Sequence, residues 1–189
     1  LPSHVKTACM EALELRGAHY TAPPGLPALR EAAAEKIKRQ TGMCVDPARE
    51  LFIIPGADTG LYFAMLPFIT PGNGDEVLVP SPSYTNNGIN TALLGAVPVY
   101  VELDRANGYA FDFDALKKAI TPKTRMIVIT NPNNPTGRCY TRDEMERMAA
   151  FVKEHDLIAV VDQAFEDTVY AGHEMITLAA LPDMRDRTV

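Results

Sequence analysis

The sequence predicts an α/β protein: a three-layer α/β/α arrangement on a mostly parallel sheet. Two observations carry this. Short, unbroken apolar runs recur, as in "EVLV", "MIVI" and "LIAVV", which is how strands buried on both faces read. Each is followed by turn residues and then by a helical pattern, the repeating order of a parallel sheet covered by helices. At 189 residues the chain is long enough for one domain with a sizeable core.

The elements follow in order. Val5, Ala8, Cys9, Ala12, Leu13 and Leu15 recur at helical spacing, with Ser3 as N-cap and Gly17 as stop. "YTAPPGLP" is a loop by its prolines and glycine. A second helix covers Leu29 to Ile37 and ends at Gly42. Leu51 to Ile54 reads as a short apolar strand closed by Pro55-Gly56. The helical stretch "TGLYFAMLPFI" follows, ended or bent by Pro67. "EVLVPSPSY" is a strand and turn leading into a helix from about Asn86 to Leu94. "VPVYVEL" is a strand, and "DFDALKKAI" a short helix with Asp112 or Asp114 at its start. "RMIVITN" is a strand. "TRDEMERMAAFVKEHD" is an amphipathic helix with Thr141 and Glu144 in capping-box spacing. "LIAVVDQAF" is the last strand, and "LPDMRDRTV" ends on the beginning of another. Both ends read as cut, so the chain is expected to be part of a larger protein.

Composition narrows the function. The net charge of −6 argues against nucleic acid as the main partner, because phosphate binding needs a basic surface. No apolar run reaches the ~18 residues that a membrane span needs. Cys9, Cys44 and Cys139 are odd in number and show no Cys-x-x-Cys or Cys/His spacing. Neither a disulfide framework nor a metal site is expected, and the thiols read as those of a cytoplasmic protein. No GxGxxG or GxxxxGK[ST] follows a strand, which disfavours a nucleotide-binding domain.

In doubly wound sheets ligands sit beyond the carboxyl ends of the strands. Four such ends stand out: "PGADTG" (55–60), "PSPSY" (80–84), "NPNNPTG" (131–137) and "DQAFED" (162–167). Gly56-Ala57-Asp58 opens a helix, where amide N–H groups and the helix dipole favour an anion. Its plainer reading is a tight turn with Asp58 or Thr59 as the cap. Tyr84 is either a partly buried tyrosine or an aromatic face for a flat ring. Asp162 ends a wholly apolar strand, where a carboxylate is costly without a partner. It either caps neighbouring backbone or holds a cation. The asparagines of the third segment suit a turn, but the segment is richer in amides than a turn requires.

"NPNNPTG", followed about 25 residues later by Asp162 at a strand end, resembles the class I/II aminotransferases, the fold-type I pyridoxal-phosphate enzymes. "HYTAPPGLPALREAAA" is similar to another segment of that family, with Tyr20, Gly25, Leu29 and Arg30 in register. "GAD" and "PSPSY" match further segments in the right order. The resemblance covers nearly the whole chain. It implies that residues 1–189 are part of the large, cofactor-binding domain of an enzyme that moves an amino group from an amino acid to a 2-oxo acid. The implied cofactor is pyridoxal 5′-phosphate.

By the same resemblance Asn134 meets the cofactor's phenolic oxygen, and Asp162 pairs with its pyridine nitrogen. Tyr84 stacks on the ring. The amides of Ala57 and Asp58 hold the phosphate, with Gly56 allowing close approach. Tyr20 reaches the phosphate of a neighbouring subunit, which implies a homodimer, and Gly25 lines the substrate side. Two departures are visible. Phe165 stands where the family usually has a tyrosine donating to the phenolic oxygen, with Tyr170 not expected to substitute. The serine-rich segment carrying the family's catalytic lysine has no counterpart here. Lys6, Lys36, Lys38, Lys117, Lys118, Lys123 and Lys153 read as solvated charges on helices and turns, so the chain alone is expected to be inactive. The alternatives are another fold-type I reaction, C–S β-elimination or decarboxylation, and a non-catalytic cofactor-binding regulatory module.

Overall fold

The computed structural model describes residues 1–189, the side chain of Arg16 excepted. The chain divides into two compact units, Leu1–Ile54 and Pro55–Val189.

The first unit holds two helices, α1 (Ser3–Arg16) and α2 (Pro27–Thr41). Ser3 was expected to cap α1 but lies inside it. Pro2 takes the N-cap position, and its carbonyl accepts from the amides of Val5 and Lys6, both at 3.1 Å. Pro27 opens α2, where its missing N–H and fixed φ cost nothing. Gly42 closes it at φ 78°, its N–H on the Lys38 carbonyl at 2.9 Å. Arg30 Nη1 donates to the carbonyls of Pro47 (2.9 Å) and Ala48 (3.3 Å), pinning the turn after α2.

Leu51–Ile54, expected as a strand, is not one. A strand exists only as part of a hydrogen-bonded ladder, and among the described residues this run pairs with none. Its Ile53 amide instead donates to the Pro24 carbonyl at 3.0 Å. The Ile53 side chain fills the space over Gly25, where an added Cβ would come within 2.6 Å of it.

The second unit is the three-layer core. Its elements are α3 (Ala57–Met65), β1 (Glu76–Ser81), α4 (Thr85–Leu93), β2 (Val97–Glu102), α5 (Phe113–Ala119), β3 (Thr124–Thr130), α6 (Arg142–Glu154) and β4 (Ile158–Asp162). Pro67 sits in a 3-10 turn, Leu66–Phe68, that finishes α3. The sheet is wholly parallel in the order β2-β1-β3-β4. Thr188 adds a parallel bridge to Ala159 on the far side of β4.

The unbroken apolar runs follow from burial on both faces. Leu78, Ile127, Ile129 and Ala159 point to one side, onto Leu116 of α5 and Met145, Met148 and Val152 of α6. Val77, Val79, Met126, Val128 and Val160 point to the other, with Leu61 and Met65 of α3. Each fully buried aliphatic side chain contributes about 1.5–3 kcal/mol. Local signals set the ends. Asp112 Oδ1 accepts from the Ala115 amide at 2.9 Å to start α5. Thr141 and Glu144 form the expected capping box on α6.

The strand order fixes where a ligand can sit. From β1 the chain moves outward to β2, then returns to β3 on the opposite side of β1. That reversal leaves a crevice between the carboxyl ends of β1 and β3.

Candidate functional site

Three of the four expected segments end neighbouring strands: Pro82-Ser83-Tyr84 after β1 and Asn131–Gly137 after β3, which flank this crevice, and Asp162, the last residue of β4, one strand further along. The fourth, at Gly56, does not follow a strand, because Leu51–Ile54 forms none. It opens α3 directly.

The asparagine loop divides its labour. Asn131 is fully buried. Its amide nitrogen Nδ2 donates to the Ile176 carbonyl at 3.3 Å, and its Oδ1 accepts from the Tyr140 amide at 3.2 Å. Asn133 is buried as well, with Nδ2 on the Pro82 carbonyl (3.0 Å) and on Thr136 Oγ1 (2.8 Å). These two amides build the loop and tie it across the crevice to the β1 turn. Asn134 is half-buried, and its side chain has no hydrogen-bond partner among the described residues. It lines an open cavity of about 230 Å³ with Pro132, Gly137, Phe165, Thr168 and Tyr170. A turn accounts for Asn131 and Asn133 and leaves the Asn134 amide over.

Asp162 pairs with Thr130 at the last step of the β3–β4 ladder and is 9% exposed. Its Oδ1 accepts from the Ala164 amide at 3.0 Å, one of the two roles expected of it. Oδ2 has no partner among the described residues. A buried carboxylate with one open oxygen suits a cationic or N–H donor.

At α3 neither Asp58 nor Thr59 caps the helix. Gly56 is the N-cap, at φ 95°, and contributes no side chain. The first-turn amides therefore have no capping acceptor, which is the arrangement that receives an anion. The Asp58 carboxylate faces elsewhere: Oδ1 accepts from Asn86 Nδ2 (2.8 Å) and Asn90 Nδ2 (3.1 Å), both on α4. Asn86 Nδ2 also lies 3.2 Å from the Tyr84 hydroxyl. Tyr84 is half-buried, packed at the edge of the core cluster that includes Leu61 and Val79.

Phe165 is 43% exposed and lines the Asn134 cavity. Tyr170, not expected to substitute for the tyrosine missing at Phe165, lines it too, as does Thr168, which the sequence did not signal. Asn86 and Asn90 also escaped the sequence reading; the only trace was their four-residue separation just after Tyr84. None of the seven lysines lines this cavity. Tyr20 belongs to the first unit and is fully exposed.

A buttress steadies the loop from behind. Arg138 Nη2 meets Glu144 Oε1 at 2.8 Å, and Nη1 donates to the Gly108 carbonyl at 2.9 Å. Burial alone would raise the Glu144 pKa. The Thr141 amide and the Arg138 guanidinium outweigh that and hold it below the ordinary value.

A sequence model described as aminotransferase class I and II matches residues 1–188. The chain is 36% identical over 188 residues to an aspartate aminotransferase of Pyrococcus abyssi, covering all of this chain and 48% of that protein. An aromatic-amino-acid aminotransferase 2 of Thermococcus litoralis shows the same 36% identity and 48% coverage. In three dimensions the chain is similar to an aromatic aminotransferase from Pyrococcus horikoshii, with a TM-score of 0.95 and 37% identity over 99% of this chain and 49% of that one. The chain thus spans about half the length of the relatives it matches.

Proposed function

The chain belongs to the aminotransferase class I and II family, and from that premise we propose that it is the cofactor-holding part of the large domain of a pyridoxal-phosphate-dependent aminotransferase. The whole protein would transfer an amino group from an amino acid to a 2-oxo acid. The observation that carries this reading is that two polar groups are left uncommitted after adjacent strands, the Asn134 amide in the loop that follows β3 and Asp162 Oδ2 at the end of β4.

The residues present fit such a cofactor. Asn134 offers an amide donor to the phenolic oxygen, and Asp162 a carboxylate to the pyridine nitrogen. The Tyr84 ring would stack on the cofactor ring. The uncapped amides of Ala57 and Asp58 would take the phosphate, with Gly56 leaving room. Phe165 presents a ring without a hydroxyl, so Asn134 supplies a larger share of the hydrogen bonding to the phenolic oxygen. When bound, the cofactor supplies an electron sink for negative charge at the carbon bearing the amino group. The chain's own part would be to hold it and to keep the ring nitrogen protonated through Asp162. Tyr20 and the family resemblance support a homodimer. The unpaired thiols Cys9, Cys44 and Cys139 support a cytoplasmic setting. No helix among the described residues is long and apolar enough to cross a membrane.

The test is transfer of an amino group from aspartate or an aromatic amino acid to 2-oxoglutarate by the full-length protein with pyridoxal 5′-phosphate. Cofactor uptake is followed by absorbance. Uptake with transfer is expected; no uptake would overturn the reading. The 189-residue chain alone is expected to show no transfer, because none of its lysines lies at these strand ends. Turnover by the chain alone would overturn that.

A further inference from the structure

We propose that Asn86 is a positioning residue for the anion end of this site. With Asn90 it holds the Asp58 carboxylate against α4, away from the uncapped amides of α3, and it ties the Tyr84 hydroxyl to the same point.

The problem it solves is electrostatic. Asp58 is the second residue of α3, where a negative side chain is favourable to the helix dipole. The same carboxylate would repel a phosphate ester placed on the first-turn amides, since that group carries close to two negative charges at neutral pH. A free aspartate would visit rotamers on both sides of the helix axis. Here two neutral amides hold it on one oxygen, Asn86 at 2.8 Å and Asn90 at 3.1 Å. Asn86 and Asn90 are four residues apart on α4 and so share a face. Asn90 is 5% exposed, and its Nδ2 also reaches the Asp58 carbonyl at 3.4 Å, so it anchors the contact. Asn86 is the outer clamp. Its single nitrogen reaches both the carboxylate and the Tyr84 hydroxyl, 3.2 Å away. An amide satisfies the carboxylate without adding a charge that would compete for the anion. Removing this one side chain loosens both a like charge, then held by Asn90 alone, and the hydroxyl of Tyr84, whose ring would lie on the cofactor.

The inference rests on the cofactor reading, and the experiment separates the two. The full-length protein is titrated calorimetrically with pyridoxamine 5′-phosphate and with pyridoxamine, neither of which needs a covalent bond to bind. Four proteins are compared: wild type, Asn86→Ala, Asp58→Asn, and the double variant. Wild type is expected to prefer the phosphorylated form. Asn86→Ala should weaken that form about tenfold, the scale of one like-charge approach largely screened by water, and pyridoxamine by much less. In the Asp58→Asn background the phosphate-specific part of the loss should vanish, because no charge remains to be held back. Equal losses for both ligands in both backgrounds would reduce Asn86 to a structural tether and overturn the inference while leaving the cofactor reading intact. A wild type that shows no preference for the phosphorylated form would overturn both.

Discussion

The main-chain N–H of Asn131, one residue past the end of β3, donates at 2.9 Å to the carbonyl oxygen of Asp162, the last paired residue of β4. This bond joins the asparagine loop to the acidic strand end. The loop that carries Asn134 is thus tied at its first residue to the strand end that carries Asp162. Parallel strands buried on both faces move little, so the core beneath holds the root of the loop and Asp162 in fixed register.

Replacing Asp162 by Asn keeps the shape and the acceptor for the Ala164 amide but removes the charge. Amino-group transfer by the full-length protein is expected to fall about a hundredfold or more, the scale of losing one preorganised electrostatic partner. Cofactor uptake, followed by absorbance, should persist, because the phosphate and ring contacts remain. A variant with unchanged kcat would remove Asp162 from the proposed site.

Much of the fold was legible because it rests on local or one-dimensional signals. The buried strands show as unbroken apolar runs, and the Thr141–Glu144 capping box is written three residues apart. Leu51–Ile54 misled because an apolar run looks the same whether or not a neighbouring strand is there to pair with it. Ser3 misled because a proline just before it could supply the first acceptor carbonyl. At the site, the free Asn134 and the strand-end Asp162 were legible as motif residues. The Asn86–Asp58 contact was not, since it depends on α3 and α4 lying side by side, 28 residues apart in the chain.

The asparagines of the loop should separate in mutants. Asn133→Ala leaves the Pro82 carbonyl and Thr136 hydroxyl without their donor in a part-buried setting, which costs about 1 kcal/mol. Asn134→Ala removes no hydrogen bond and should change stability by no more than about 0.5 kcal/mol, while weakening cofactor binding. Urea unfolding beside cofactor titration checks both. A large stability loss in Asn134→Ala would show that its amide belongs to the loop after all.

Two glycines of the first unit offer a graded test of backbone against packing. Gly42 has φ 78° with nothing within 4 Å of an added Cβ. Gly42→Ala should therefore cost only the left-handed conformation, about 1 kcal/mol. Gly25 combines φ 96° with Ile53 atoms 2.6 Å from that Cβ. Gly25→Ala should cost more, about 2–4 kcal/mol, because strain and overpacking add. Hydrogen exchange over residues 1–54 should rise far more in Gly25→Ala. Equal effects would mean that the Ile53 contact yields freely.

The Arg138–Glu144 pair predicts a pH dependence of stability with a definite sign. The Glu144 carboxyl has its pKa lowered on folding: burial pushes it up, but the Thr141 amide and the Arg138 guanidinium push it down further. A carboxyl with a depressed folded pKa binds more protons unfolded than folded, so its stabilisation is full above the ordinary value of 4.5 and is lost as pH falls through the folded value. Glu144→Gln keeps an acceptor for the helix cap but removes the charge facing Arg138, whose side chain is only 22% exposed. At pH 7 the variant should be about 1 kcal/mol less stable, since it leaves a part-buried, partly screened guanidinium without its charged partner. Urea unfolding at pH 7, 5, 4 and 3 should show the gap between wild type and variant constant down to about pH 5 and shrinking below it. A gap that stays constant to pH 3 would mean that the carboxylate charge of Glu144 contributes nothing to stability, against the prediction.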